Sequence, residues 1–153
     1  MKLATRRREA SASGAVATGA LALGAAAIGV YQQEERMSSR KQAVGAYFDG
    51  FRASDHEAIL ALLSEDVVWV IHGHGRREGK QAFDREIEND AFEGSPKLTV
   101  ERLIEEGETV VAPHLGEGRL RGGDAFKFAG VTVFGFDGDL ISRVESYIVP
   151  LQG

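Results

Sequence analysis

The feature that most constrains this chain is a change in the spacing of its apolar residues at Pro96. Before Pro96, apolar residues at i, i+3, i+4 and i+7 form one stripe of a helix: Val44, Tyr47, Phe48 and Phe51. After Pro96, apolar and polar residues alternate, which is typical of strands that bury one face. Helices followed by antiparallel strands predict an α+β fold.

The predicted elements before Pro96 are three helices and one strand. A first helix begins at Ser38, and a second is predicted to be capped by Ser54, with Glu57 three residues later. Then follow a strand, a loop and a third helix, which are Val67–His72, Gly73–Gly79 and Lys80–Phe92. Gly94-Ser95-Pro96 is predicted to end the third helix.

Four antiparallel strands are predicted after Pro96, joined by hairpin turns. The first turn is Glu105–Glu108, and the last contains Asp137-Gly138-Asp139. Between them, Thr109–Leu120 is a long strand that Pro113 and Gly116 are expected to interrupt. The final strand is Leu140–Val149.

The composition limits the possible functions. The chain has 153 residues, no cysteine and a net charge of −5. The lack of cysteine excludes disulfides, thiolate metal sites and cysteine nucleophiles. An acidic chain is not expected to bind nucleic acid, since phosphate contacts need a cationic surface.

Residues 1–36 are interpreted as a segment separate from the domain at 37–153. Thr5-Arg6-Arg7 precedes a charge-free run from Ser13 to Tyr31, which resembles a twin-arginine export signal. We expect export, or membrane anchoring if the segment is not cleaved. The alternative is a cytoplasmic protein whose translation starts at Met37.

Residues 38–150 resemble the NTF2-like superfamily, and within it the SnoaL-like relatives of polyketide cyclases and ketosteroid isomerases. The matching stretches are "AVGAYFDGFRASDHEAILALLSEDVVWV", "EGKQAF", "VERLIEEGETVVA" and "VTVFGFDGDLISRVESY". The resemblance implies a cone in which three N-terminal helices pack on a strongly curved, mainly antiparallel sheet. It also implies a small apolar ligand in the cone and a homodimer formed through the sheet.

The resemblance carries over only one of the three ketosteroid isomerase groups. Tyr47 matches the oxyanion-donor tyrosine of those enzymes. Ile71 stands at the position of their general-base aspartate, and Thr132 at that of their protonated aspartate. Because an apolar side chain cannot transfer a proton, steroid isomerisation by that mechanism is not expected. Limonene epoxide hydrolases use an Asp-Arg-Asp set that includes an Arg-x-Asp on a strand. The C-terminal half of this chain has no Arg-x-Asp, and Arg143-Val144-Glu145 is the most similar sequence there.

Five polar residues remain candidates for acid–base chemistry in the cone. Tyr47 is the expected donor, His72 or His114 the acid or base, and Arg143 with Glu145 an orienter or base on the inward face of the last strand. The residues expected to line the pocket are Trp69, Ile71, Phe83, Phe128, Thr132, Phe134 and Tyr147.

No metal or other cofactor is expected. His72 and His74 lack the third and fourth ligands that a zinc site needs, so His72 is interpreted as lying at the rim of the cone and His74 in a solvated loop. Two functions remain open: a cofactor-independent isomerase, cyclase or hydrolase, and a non-catalytic ligand-binding or dimerisation module of the same fold.

Overall fold

The computed structural model describes residues 37–152, so the interpretation of residues 1–36 lies outside the described part. The helices are α1 Ser39–Ala53, α2 His56–Ala61 and α3 Lys80–Ile87. The strands are β1 Leu63–Ile71, β2 Gly75–Glu78, β3 Phe92–Val100, β4 Ile104–Glu106, β5 Thr109–Leu120, β6 Ala125–Asp137 and β7 Leu140–Pro150.

The described strands form one open, curved sheet in the order β2-β1-β7-β6-β5-β3, with β4 also paired to β5. Only the β1–β7 pair among them is parallel. The prediction of an α+β fold with a mostly antiparallel sheet is confirmed. Of the described helices, α1 and α2 precede the sheet, and α3 lies between β2 and β3.

Helix α1 begins and ends as its sequence directs. The Ser38 side chain accepts a hydrogen bond from the Lys41 amide at 3.1 Å, which satisfies one free N–H of the first turn. Ser54 then closes the helix in the left-handed conformation, with φ of 49°. The prediction that Ser54 caps α2 is therefore wrong. Asp55 caps it, accepting from the Ala58 amide at 3.0 Å.

Two further predictions before Pro96 are wrong because strand pairing overrides local sequence signals. Residues 75–78, predicted as loop, form the edge strand β2 on β1. The third helix ends at Ile87, and residues 92–100 pair with β5 instead. The Gly94-Ser95-Pro96 turn sits in an irregularity between Glu93 and Lys97, where the ladder tolerates a proline.

The predicted hairpins after Pro96 are confirmed, and the long strand is interrupted at Pro113 on one side only. β5 pairs with β6 from Thr109 to Arg119 without a break. Pro113 is tolerated where β5 passes from pairing with β4 at Val111 to pairing with β3 at His114.

The core lies between the helices and the inner face of the sheet. Among the described residues, Val44, Ile59, Phe83, Phe134 and Val144 have no exposed surface. Each buried side chain of this size contributes about 1.5–3 kcal/mol through the hydrophobic effect. These residues fix α1 and α3 over the strands that carry the candidate site.

Candidate functional site

A single buried imidazole lies on the inner face of β5. His114 is 5% exposed, and its Nδ1 lies 3.0 Å from the Ala112 carbonyl oxygen. Because a carbonyl only accepts, Nδ1 carries the proton and Nε2 keeps its lone pair. Burial lowers the pKa of His114, against the opposing effects of the Ala112 hydrogen bond and the Glu101 charge. His114 is therefore neutral at pH 7 and has the protonation state of a base.

The position of this imidazole depends on its neighbours. The ring of Phe48 packs 5.1 Å from it, and the ring of Phe128 packs edge-on at 6.1 Å, both between centroids. Across the strand, a Cβ at Gly130 would lie 2.7 Å from Nε2. The glycine therefore provides the space that the imidazole occupies.

Tyr47 provides a second polar group beside the same cluster. It is 4% exposed, and its ring lies 4.8 Å from Phe51 and 4.9 Å from Phe134. Burial raises the pKa of Tyr47, so the hydroxyl stays protonated and acts as a donor. This hydroxyl makes no hydrogen bond to a side chain or backbone group of residues 37–152. Phe48 contacts both rings, with centroid distances of 5.6 Å to Tyr47 and 5.1 Å to His114.

A line of buried hydroxyls continues across the sheet. The Trp69 indole donates a hydrogen bond to the Ser146 hydroxyl at 3.0 Å. Thr132 is the direct ladder partner of Ser146 and is 4% exposed. Ser146 is absent from the predicted site residues, because plain alternation along β7 places it on the outer face.

The inward face predicted for the last strand is wrong. A bulge at Ser142 breaks the alternation, since Gly135 pairs with Arg143 while Phe136 pairs with Ile141. Ile141 and Val144 are consequently both buried. Arg143 and Glu145 point outward and form an ion pair with a 2.5 Å separation between Nη2 and Oε1.

Tyr147 and His72 also lie outside the core. Their rings stack with centroids 4.1 Å apart and 17° between their planes. Tyr147 is 44% exposed and His72 is exposed, so neither faces the buried cluster. His72 follows the end of β1, as expected, and His74 lies in the turn before β2. The described residues contain no group of three His, Asp or Glu side chains placed to hold a metal ion.

Of the remaining residues predicted to line a pocket, four are buried and two are half-buried. Tyr47 packs edge-on against Phe83 at 6.2 Å, and Trp69 stacks on Phe83 at 4.5 Å. Phe134 and Thr132 are buried beside them, while Ile71 and Phe128 are half-buried. The aromatic rings fill the region under α1 by direct contact. Two cavities of about 360 and 350 Å³ open on the surface and are lined mainly by charged residues, and the lining of the first includes Gly118 and Phe126.

The described helices pack on an open, curved, mostly antiparallel sheet, and buried polar groups lie on its inner face. This arrangement defines the NTF2-like class of domains. The chain belongs to the family of the SnoaL-like domain, whose model matches residues 44–144. No curated protein matches the chain at a significant level.

Solved structures share this fold at low sequence identity. An NTF2-like protein of unknown function from Burkholderia pseudomallei is 23% identical, with a TM-score of 0.66 over 74% of this chain and 92% of that one. TerC, co-crystallised with polyporic acid, is 24% identical, with a TM-score of 0.66 over 73% and 92%. A Mycobacterium tuberculosis protein in complex with estradiol-17β-hemisuccinate is 21% identical, with a TM-score of 0.63 over 72% and 94%.

None of the described helices is long and apolar enough to cross a membrane.

Proposed function

We propose that the domain binds a small apolar cyclic molecule on the inner face of its sheet and that His114 transfers a proton on that molecule. The observation that carries this proposal is the buried imidazole, whose Nδ1 is held by Ala112 and whose Nε2 makes no hydrogen bond within the described part. Its lowered pKa keeps it unprotonated in neutral solution. A base needs this state before it can remove a proton.

Tyr47 has the complementary role in this proposal. Removing a proton from the carbon next to a ketone places negative charge on the carbonyl oxygen. A protonated, buried tyrosine donating to that oxygen stabilises the charge as it develops. Tyr47 and His114 both pack against Phe48, and because aromatic rings fill this region, a ligand reaches the two polar groups only when those rings move apart. The reaction class is isomerisation or cyclisation by proton transfer, without a cofactor.

The ligands in related structures support the same choice of ligand. Polyporic acid and estradiol-17β-hemisuccinate were found with two proteins that share this fold. Both ligands contain rings. We extend that preference to this domain because its own interior is lined by aromatic side chains.

The second candidate function is a non-catalytic ligand-binding module of the same fold. It is favoured by the buried polar groups of the described interior, which contain no carboxylate: they are Ser64, His114, Thr132 and Ser146, with Tyr47. It is also favoured by the close aromatic packing around Tyr47. In this alternative His114 only orients the ligand.

Deuterium exchange on a cyclic ketone distinguishes these functions. We expect the domain to accelerate hydrogen–deuterium exchange at the carbon next to the carbonyl of 2-tetralone in D2O. Proton NMR measures the exchange rate. His114→Gln should lower that rate by about 10²–10⁴-fold, as for loss of a general base. The matched control His74→Gln removes an exposed imidazole and should change nothing.

Binding is followed in parallel by the emission of Trp69, the chain's only tryptophan, which stacks inside the site. Binding without exchange would support the non-catalytic module. Neither binding nor exchange would refute both candidates.

We also propose that the domain forms a homodimer through the outer face of the sheet. Apolar side chains are exposed there side by side: Leu115, Val131, Tyr147 and Val149. A second copy of the same face would cover them. Sedimentation should show a dimer for the wild type and a monomer for Val131→Glu, and a monomeric wild type would refute this interface.

For residues 1–36 we propose export through the twin-arginine-like segment, with start of translation at Met37 as the alternative. Cell fractionation with N-terminal sequencing of the accumulated protein decides between them. A cytoplasmic protein beginning at residue 37 or 38 would refute export.

A further inference from the structure

A row of aromatic rings faces glycines across β5 and β6 on the inner side of the sheet. Three successive ladder pairs each join one ring to one glycine: His114 with Gly130, Phe128 with Gly116, and Phe126 with Gly118. The residues between these pairs point to the outer face, because side chains alternate along a strand. The row therefore runs along a single surface, outward from the proposed base.

Rings of the chain cover two of the three glycines. A Cβ at Gly130 would meet His114 Nε2 at 2.7 Å, and a Cβ at Gly116 would meet the tip of the Phe128 ring at 2.0 Å. Both rings thus lie directly against the glycine backbone. At Gly118 the arrangement differs, because no atom lies within 4 Å of the corresponding Cβ position. At Gly118 the row ends in open space, where a ring of a ligand would fit.

Three aromatic side chains cluster at this end of the row, where Phe126 is the ladder partner of Gly118. The ring centroid of Phe126 lies 5.6 Å from that of Phe128 and 5.6 Å from that of Phe92. All three side chains are half-buried. Aromatic rings at centroid distances of about 4.5–7 Å attract one another beyond the area they bury. The spacing of this row suits the addition of another flat ring.

We propose that the open position over Gly118, at the end of the row that carries Phe126 and Phe128, is a stacking subsite that receives a flat, unsaturated ring of the ligand. The inference rests on the proposed function, since the row leads from His114 to this position. The subsite gives the domain a selectivity for planar rings over saturated rings. A planar ring lies against the row over the whole face of the ring, whereas a puckered saturated ring of the same size contacts the row only at its edges.

Two probes of equal carbon skeleton test the subsite. Dissociation constants of 2-naphthol and of decahydro-2-naphthol are measured by isothermal titration calorimetry. We expect the wild-type chain to bind 2-naphthol roughly three- to tenfold more tightly, the size of one aromatic pair contact. Gly118→Val fills the open space, and Phe126→Leu keeps an apolar side chain but removes the ring. Both variants should lose the preference.

Neither substitution is expected to disrupt the fold. Gly118 is not in the left-handed region and has room for a side chain, so valine fits a strand there. The matched control is Gly45→Ala on α1, which also adds a Cβ with nothing within 4 Å and should leave both constants unchanged.

The subsite is refuted if wild type binds the two probes equally or does not bind 2-naphthol, or if both variants keep the wild-type preference. Failure of the proposed function is a separate result: His114→Gln would then leave deuterium exchange unchanged, whatever the naphthol constants.

Discussion

Gly130→Ala tests whether the His114 imidazole occupies the space that the glycine leaves. The added methyl would lie 2.7 Å from Nε2, 2.8 Å from Cε1 and 3.0 Å from Cδ1 of Ile148. Carbon contacts are most favourable at about 3.5–4.0 Å, so the imidazole has to move by several tenths of an ångström or more. Its movement strains the hydrogen bond that Nδ1 makes to the Ala112 carbonyl.

The change in the free energy of unfolding is the difference between two destabilising contributions and one stabilising contribution. Overpacking of a well-packed core costs about 1–3 kcal/mol, and a weakened hydrogen bond adds about 1 kcal/mol. Replacing glycine by alanine returns about 0.4–1 kcal/mol by restricting the unfolded chain. We therefore expect the free energy of unfolding to fall by about 1–3.6 kcal/mol, measured by urea denaturation. Gly45→Ala, which meets no neighbour, is the control and should be neutral or slightly stabilising.

The pKa of His114 is the second measurement on the same variant. In the wild type, burial holds this pKa below 6.5. A displaced imidazole is better solvated, so an NMR titration should show its pKa moving back up towards 6.5. Unchanged stability together with an unchanged pKa would refute the idea that Gly130 positions the imidazole.

Three further predictions concern the scaffold. The pKa of His56 is raised chiefly by its hydrogen bond to Asp84, so the stability this pair contributes should be fully present below about pH 6.5 and lost as pH rises through the raised pKa. In urea unfolding at a series of pH values, Asp84→Asn should weaken that dependence and leave the smaller part that Glu88 contributes. Phe83→Ala empties a site with no exposed surface and should cost about 3–5 kcal/mol of unfolding free energy, measured in the same way. Asp55→Ala removes the cap of α2 and should lower the denaturation midpoint by the equivalent of about 1 kcal/mol, whereas Asp55→Asn should retain most of the stability.

The fold was largely predictable because its apolar periodicities are long. The stripe through α1 and the alternation along β6 identify the buried faces that the structure shows, including Tyr47 and Phe134. The errors before Pro96 fall on residues whose local signals are weak. Glycines and charges in residues 75–78 indicate a loop, and only pairing with β1 makes them a strand. Such pairing is a property of the folded sheet and is absent from any short window of sequence.

The candidate site was less predictable because one residue decides which side chains face it. Alternation along the last strand put Arg143 and Glu145 inside, and the bulge at Ser142 puts Val144 and Ser146 there instead. A shift of one position exchanges the two faces of a strand for every residue beyond it. The inner face therefore carries the Ser146 hydroxyl, hydrogen-bonded to Trp69, where the Arg143–Glu145 ion pair was predicted. Glu145, the carboxylate predicted for the site, lies on the outer face. Of the acid–base candidates on the strands, only His114 remains inside, because β5 continues without a bulge opposite β6. The chemistry open to this domain is therefore determined by where the sheet keeps its register and where it does not.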